Sequence, residues 1–155
     1  MLRVIYQEDQ ITIVYDTMWN GTRVMAENIA QGIKQADPKV NLKLYNLAKS
    51  DRNDVMTEIF KSKAIVVGSP TINRGVLTSI AGMLEEVKGL KFRNKKAAVF
   101  GCYGWSGESV KVIQAQLGAA GFQVADDGLR CLWNPDADSI ANCVAYGKKL
   151  ARLLK

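Results

Sequence analysis

Three segments of the sequence combine glycines with side chains that can donate hydrogen bonds. The first contains, in order, Asp16, Thr17, Met18, Trp19, Asn20, Gly21 and Thr22. If a helix follows this segment, the hydroxyls, amide and glycine of the segment can surround a phosphate with neutral donors. The positive end of the helix dipole would add to the attraction. The segment lacks the Gly-Lys-Ser/Thr of a P-loop, which favours a phosphate monoester that is held rather than cleaved. A plain helix cap by Asn20 or Thr22 is the alternative.

The second segment comprises Gly68, Ser69, Pro70, Thr71, Ile72, Asn73, Arg74 and Gly75. Its backbone N–H and C=O groups could face the edge of a planar heterocycle, with Pro70 fixing the loop and Thr71 and Asn73 adding donors. Proline, asparagine and glycine together are also typical of a simple turn.

The third segment comprises Gly101, Cys102, Tyr103, Gly104, Trp105, Ser106 and Gly107. Its glycines allow the backbone to approach a ligand closely. The Trp105 indole could stack on a flat aromatic ring, with Trp19 or Tyr103 as further candidates. The alternative is that Trp105 folds back onto the core.

The composition limits the chemistry available to the chain. Its 155 residues, 48% of them hydrophobic, are enough for one globular domain. The absence of histidine excludes a Ser-His-Asp triad, imidazole acid–base catalysis and every histidine-containing metal site. Three cysteines, at positions 102, 131 and 143, form no Cys-x-x-Cys pair and favour a reducing, cytoplasmic environment. We therefore expect no metal site and no catalytic side chain, and a bound cofactor that supplies the chemistry.

The net charge of +6 favours acidic partners. The densest basic stretch, residues 88–96, is predicted to be a solvated connection, and no nucleic-acid-binding motif accompanies it. No apolar run approaches the ~18 residues of a membrane span, and the N-terminus has no signal-peptide pattern. We expect neither a nucleic-acid nor a membrane partner.

Strand and helix patterns alternate five times, which is typical of a parallel sheet covered on both faces. Continuous apolar runs at residues 11–15, 64–67 and 97–100 predict buried central strands. Residues 40–44 alternate in polarity and predict an edge strand. The fifth strand region, residues 122–133, is interrupted by Asp126, Asp127 and Gly128.

This pattern predicts a doubly wound α/β fold with strand order 2-1-3-4-5. Residues 1–10 are expected to be a lead-in and residues 11–155 the domain. Ligands of such sheets bind at the carboxyl ends of the strands, so the three segments, which follow strands one, three and four, should meet at one edge. Their convergence favours the ligand-binding interpretation of each.

Together, DTMWNGT, GSPTIN and GCYGWSG resemble the flavodoxin-like domain of flavodiiron proteins, the A-type flavoproteins that include flavorubredoxin and rubredoxin:oxygen oxidoreductase. The resemblance covers residues 10–154 and includes the Trp133-Asn134-Pro135 turn. In the first loop, Trp19 replaces a hydroxyl residue of the general flavodoxin pattern, and Asn20 and Gly21 stand in reverse order. This variant is closer to the flavodiiron proteins than to short-chain flavodoxins.

The resemblance implies an FMN cofactor, with its phosphate on residues 17–22, its ring edge on residues 70–73 and its ring stacked against residues 102–107, around Trp105. It also implies an electron-transfer domain of an oxidoreductase that receives electrons from a donor such as rubredoxin. The acceptor would be a diiron centre that reduces O2 or NO, held by a metallo-β-lactamase-like domain that this sequence does not include. Residues 1–10 would then be the remnant of the junction.

Three alternatives use the same fold. The first is a free-standing NAD(P)H-dependent FMN or quinone reductase, in which NAD(P)H alone would reduce the flavin. The second is a signalling receiver, which needs an aspartate after strand three where this chain has Gly68 and Ser69. The third is a binding module that has lost its cofactor.

Overall fold

Strands and helices alternate along the chain in the computed structural model, which describes residues 7–72, 74–92, 94–104, 107–132 and 135–155. The strands within these ranges are β1 (Glu8–Tyr15), β2 (Asn41–Asn46), β3 (Ser62–Gly68), β4 (Lys96–Tyr103), β5 (Gln123–Val124) and β6 (Leu129–Leu132). The helices are α1 (Gly21–Ala36), α2 (Arg52–Lys61), α3 (Thr78–Leu90), α4 (Glu108–Ala119) and α5 (Ala137–Leu153). A short 3₁₀ turn, Leu47–Lys49, precedes α2.

The sheet has the predicted order, β2-β1-β3-β4-β5, and its pairings are parallel. β6 also pairs with β4, further along the same edge, so β5 and β6 together fill the fifth position. The break between them falls at the predicted interruption. There Gly128 adopts a φ of 82°, and the Asp126 carboxylate accepts hydrogen bonds from Gly128 N and the Tyr146 hydroxyl.

Each face of the sheet has its own apolar core. Helices α1 and α5 cover one face, where Ile29, Ile33 and Leu150 pack against β1, β3 and β4. Helices α2, α3 and α4 cover the other, where Ile59, Met83 and Ile113 are fully buried. Because both faces of the central strands are buried, their sequences are continuous apolar runs rather than alternating ones.

β1 begins at Glu8, earlier than the apolar run and inside the expected lead-in. The reason is a buried polar network that the apolar pattern does not detect. Gln10 is 1% exposed, and its side-chain NH2 donates to Thr12 Oγ1 and to Ser62 Oγ, both at 3.2 Å. Its carbonyl oxygen accepts from Asn41 Nδ2 at 2.9 Å. Buried polar groups that are fully paired can extend a strand at little cost.

The basic stretch that joins α3 to β4 is only partly solvated, so the prediction of a solvated connection is wrong for Phe92 and Lys95. Phe92 is 3% exposed and Lys95 is 1% exposed. The Lys95 ammonium donates to the carbonyl oxygens of Phe60 and Ser62 and lies 5.4 Å from the centre of the Phe92 ring. It therefore binds carbonyl groups at the C-terminus of α2, where the helix dipole is negative.

Burial lowers the pKa of Lys95 from 10.5 to about 8. Between these values the unfolded chain binds more protons at this site than the folded chain, so we expect stability to rise with pH from about 8 to 10.5. Urea denaturation at several pH values between about 8 and 10.5 should show this rise for the wild type. Lys95→Met should lack this contribution, and an identical pH dependence in the two proteins would contradict the assignment.

Candidate functional site

The structure brings the three loops together at the carboxyl edge of the sheet. β1, β3 and β4 are neighbours, with Tyr15 opposite Gly68 and Gly68 opposite Phe100. Backbone hydrogen bonds continue beyond the strands: Asp16 N donates to Gly68 O, and Thr71 N donates to Cys102 O at 2.9 Å. The expectation that the loops after strands one, three and four share one edge is met for their described residues.

The loop after β1 ends in a helix N-terminus whose amides are left open. Asn20, the N-cap residue, has a left-handed φ of 65°, and its side chain does not cap the helix. The first turn carries no acidic residue, and the first α1 amide with an intrahelical bond is Val24, which donates to Asn20 O. The amides of Gly21, Thr22 and Arg23 are therefore those available to an anion.

The side chains of this loop differ in their surroundings. Thr17 and Met18 are half-buried, and the Thr17 hydroxyl donates weakly to Met18 O at 3.4 Å. Trp19, which also has a positive φ, is 75% exposed. Thr22 is fully buried, and its hydroxyl lies 3.1 Å from Cys102 Sγ, so it faces the core under the loop.

Asp16 links the loop after β1 to the first turn of α3. Its carboxylate accepts from Thr17 N at 2.7 Å and from the Ser79 hydroxyl, in the first turn of α3, at 2.5 Å. These bonds fix the path of the chain as it leaves β1 and enters the loop.

A cavity of about 260 Å³ borders the same loop on the β2 side. Its polar lining includes two cations, two amides and one carboxylate: Arg23, Lys49, Asn20, Asn46 and Asp16. Sequence reasoning missed Asn46 and Lys49. The signal for them is topological, because the end of β2 must lie beside the end of β1 in the predicted strand order.

Hydrogen bonds of Ser69 and Thr71 hold the loop after β3 in place. Pro70 is buried, and the Ser69 hydroxyl donates to Pro70 O and accepts from Leu77 N. Thr71 Oγ1 accepts from Ser109 N at 3.0 Å, so it caps α4, a helix that begins in a different loop. Ile72 pairs with Gly75 across a tight turn. Asn73 lies outside the described residues, and its predicted donor role stays a prediction.

The end of β4 and the loop after it depend on a close approach of two chain segments at Gly101. A Cβ atom there would lie 2.4 Å from Ser69 O and 2.6 Å from Ser109 Oγ, so only glycine fits. Cys102 is buried, Tyr103 half-buried and Gly104 exposed. Gly107, the N-cap residue of α4, has no side chain to cap the helix, so the Thr71 hydroxyl takes this role from the neighbouring loop. Trp105 and Ser106, like Trp133 and Asn134, lie outside the described part of the chain, so the predicted ring stack stays a prediction.

Positive charge lies close to these loops. Arg130 on β6, which sequence reasoning missed, packs against Gly107 and lines a cavity of about 180 Å³ with Glu108 and Lys111. A cavity of about 510 Å³ lies elsewhere, at the opposite end of the sheet, between Lys88, Phe92 and Gly121. Lys91 also lines that cavity, but the cavity lies at the C-termini of α3 and α4, where the helix dipoles are negative and disfavour an anion.

The donor set at α1 fits the phosphate of FMN, the cofactor that the resemblance implies. It consists of helix amides with no acidic residue in the first turn, and Arg23, which pairs with Glu27, stands in the same turn. The Asp16 carboxylate in the preceding loop is bound by Thr17 N and the Ser79 hydroxyl. Among the residues that the structure describes, no group of three or more Cys, Asp or Glu side chains is arranged to hold a metal ion. No described helix is long and apolar enough to cross a membrane.

Comparison with known proteins agrees with this geometry. The flavodoxin family model matches residues 13–147. The anaerobic nitric oxide reductase flavorubredoxin of Aeromonas hydrophila is 50% identical over 147 residues, which are 95% of this chain and 30% of that protein. The chain thus spans about a third of the length of such relatives.

Two solved structures share the fold closely. Rubredoxin oxygen:oxidoreductase from Desulfovibrio gigas superposes with a TM-score of 0.89 at 32% identity, over 96% of this chain and 37% of that one. The flavodiiron protein of Giardia intestinalis gives the same TM-score at 26% identity, over 96% and 37% of the two chains. The resemblance to flavodiiron proteins that the three loops predict is confirmed. FMN, the predicted cofactor, is the cofactor of flavodoxins and flavorubredoxins. The chain belongs to the flavodoxin family of FMN-binding domains, and within it corresponds to the flavodoxin-like part of flavorubredoxin and other flavodiiron oxidoreductases.

Proposed function

We propose that this chain holds FMN at the carboxyl edge of β1, β3 and β4 and relays electrons to a diiron centre outside this sequence. The phosphate lies on residues 17–22, the ring edge on residues 70–73 and the ring face on residues 102–107. The observation that carries the proposal is the uncapped N-terminus of α1, placed beside two further glycine-containing loops. Bound FMN supplies the capacity to accept and release electrons.

The residues of the chain bind and orient this cofactor. The amides of Gly21, Thr22 and Arg23 donate to the phosphate, where the dipole of α1 is positive. Beneath these amides, the buried Thr22 hydroxyl contacts the Cys102 thiol and so fixes the first turn of α1 against β4. Thr71 couples the ring-edge loop to α4 through Ser109 N, so that the second and third loops keep a fixed separation.

The proposed donor is acidic, such as rubredoxin or a rubredoxin-like domain. The names of two similar proteins, flavorubredoxin and rubredoxin oxygen:oxidoreductase, refer to rubredoxin. The net charge of +6 would attract such a donor. The charges of the loops themselves balance, with Asp16 and Glu108 against Arg23 and Arg74, and Arg130 adds one cation beside them. The three cysteines are free thiols, which agrees with a cytoplasmic location.

We expect the rate of FMN reduction by reduced rubredoxin to fall by about tenfold or more as salt is raised, because salt screens the attraction between the two proteins. Anaerobic stopped-flow absorbance measures this rate. Reduction by a neutral small-molecule donor is the control and should change little. A rubredoxin rate independent of salt would contradict the proposed donor surface. Rapid flavin reduction by NAD(P)H alone would support the reductase alternative.

A further inference from the structure

The Arg130 side chain reaches the loop after β4, on which the flavin ring is proposed to lie. Arg130 is on β6, where it is the register partner of Gly101 on β4. A Cβ atom at Gly107, the last residue of the loop, would lie 3.1 Å from Arg130 Cδ and 3.5 Å from the Tyr103 ring. The absence of a side chain at Gly107 therefore lets Arg130 pack against the end of this loop.

The position of Arg130 is unfavourable for the stability of α4. Gly107 is the N-cap residue of α4, and the positive end of a helix dipole repels a cation. Arg130 is exposed, and none of the salt bridges found in the described part of the chain includes it. Neither the helix dipole nor ion pairing thus accounts for a cation at this place.

The charges that surround the end of this loop have a positive sum. The cavity of about 180 Å³ beside Gly107 is lined by one carboxylate, that of Glu108, and by two cations, Lys111 and Arg130. The positive end of α4 adds to the two cations. Residues 102–107 carry no charged side chain of their own. The electrostatic potential at the proposed ring site is therefore set by neighbours such as Arg130.

We propose that Arg130 raises the reduction potential of the FMN bound to this chain. This inference rests on the proposed function, which places the flavin ring on residues 102–107. Two electrons from the donor and one proton from solvent convert the neutral oxidised ring into a monoanion. A cation close to the ring stabilises the reduced form more than the oxidised one. Arg130 thus tunes the cofactor and has little effect on the affinity for oxidised FMN.

The test is a spectroelectrochemical titration of the FMN-loaded chain and of a series of charges at position 130. Arg130→Gln should weaken the binding of reduced FMN about tenfold relative to oxidised FMN, which lowers the two-electron potential by about 30 mV. Arg130→Glu reverses the charge and should lower the potential about twice as far. Arg130→Lys keeps the charge and should remain close to the wild-type potential.

Arg152→Gln is the matched control for the loss of one arginine charge. Arg152 is exposed in the last turn of α5, at the opposite end of the sheet, where Leu153 O accepts a hydrogen bond from Lys96 at the start of β4. This variant should keep the wild-type potential. Flavin fluorescence quenching should give similar dissociation constants for oxidised FMN in the wild type, Arg130→Gln and Arg152→Gln.

Equal potentials in the wild type, Arg130→Gln and Arg130→Glu would overturn the inference. An equal fall in Arg130→Lys and Arg130→Gln would also overturn it, because the cause would then be lost packing against Gly107 rather than lost charge. Far-UV circular dichroism identifies a variant that fails to fold, and any two folded members of the series that differ in charge decide the question. A wild-type chain that binds no FMN would contradict the proposed function itself.

Discussion

Asn20→Asp is expected to weaken FMN binding by at least about tenfold, about 1.4 kcal/mol. Asn20 is the exposed N-cap residue of α1, and aspartate tolerates its left-handed backbone as asparagine does. The substitution only replaces the side-chain NH2 group with an oxygen, but it places a negative charge beside the open amides that are proposed to hold the phosphate. At about 5 Å and an effective dielectric near 20, one pair of unit charges repels by about 3 kcal/mol, and solvent exposure reduces this.

Quenching of flavin fluorescence during titration of the apoprotein measures the affinity. Gln35→Glu makes the same charge change at an exposed position in the last turn of α1, about 20 Å from the open amides, and should leave FMN binding unaltered. Riboflavin, which lacks the phosphate, provides the second control: its affinity should not fall in Asn20→Asp. An equal loss for riboflavin and FMN would indicate a disrupted loop and contradict a phosphate site at α1.

Gly147→Ala is expected to lower the free energy of unfolding by about 2–3 kcal/mol or more. Helices α1 and α5 touch through their backbones at Gly32 and Gly147. A Cβ atom at Gly147 would lie 2.1 Å from Ile29 O, and one at Gly32 would lie 2.0 Å from Val144 O. Because the obstacle is helix backbone, the two helices must move apart, and the amino end of α1 moves with them.

Gly118→Ala is the matched control for this prediction. Gly118 is also helical, but a Cβ atom there would have no neighbour within 4 Å. Alanine should therefore stabilise the chain by about 0.5–1 kcal/mol, the difference in helix propensity. Urea denaturation followed by far-UV circular dichroism measures both changes. Similar stabilities for Gly147→Ala and Gly118→Ala would show that the interface between α1 and α5 tolerates a methyl group.

The strand order could be predicted because the buried strands are continuous apolar runs and the edge strand is not. The same criterion fails where polar groups are buried in pairs. Gln10 lies inside β1 because Thr12, Ser62 and Asn41 satisfy its amide. Lys95 is buried because carbonyl groups of α2 and β3 accept hydrogen bonds from its ammonium group. Such partners are distant in sequence, so no local pattern indicates them.

The meeting of the three loops at one edge could likewise be predicted, because parallel strands place the loops that follow them side by side. The roles of individual side chains could not be predicted. Thr22 and Thr71 are natural donors in the sequence, yet one faces Cys102 and the other caps α4. The cysteines lack any motif spacing, and only the pairing of β4 with β6 and the packing of α5 bring them together.

The most direct test of the cofactor site is a titration of the ¹⁵N-labelled apoprotein with FMN, followed through its backbone amide signals. Binding at the carboxyl edge predicts that the amides of Gly21, Thr22 and Arg23 shift most and that the shifts saturate at one FMN per chain. Phe92 and Gly121, at the opposite end of the sheet, should be unaffected. Shifts centred on Phe92 and Gly121, with the first turn of α1 unchanged, would contradict the account.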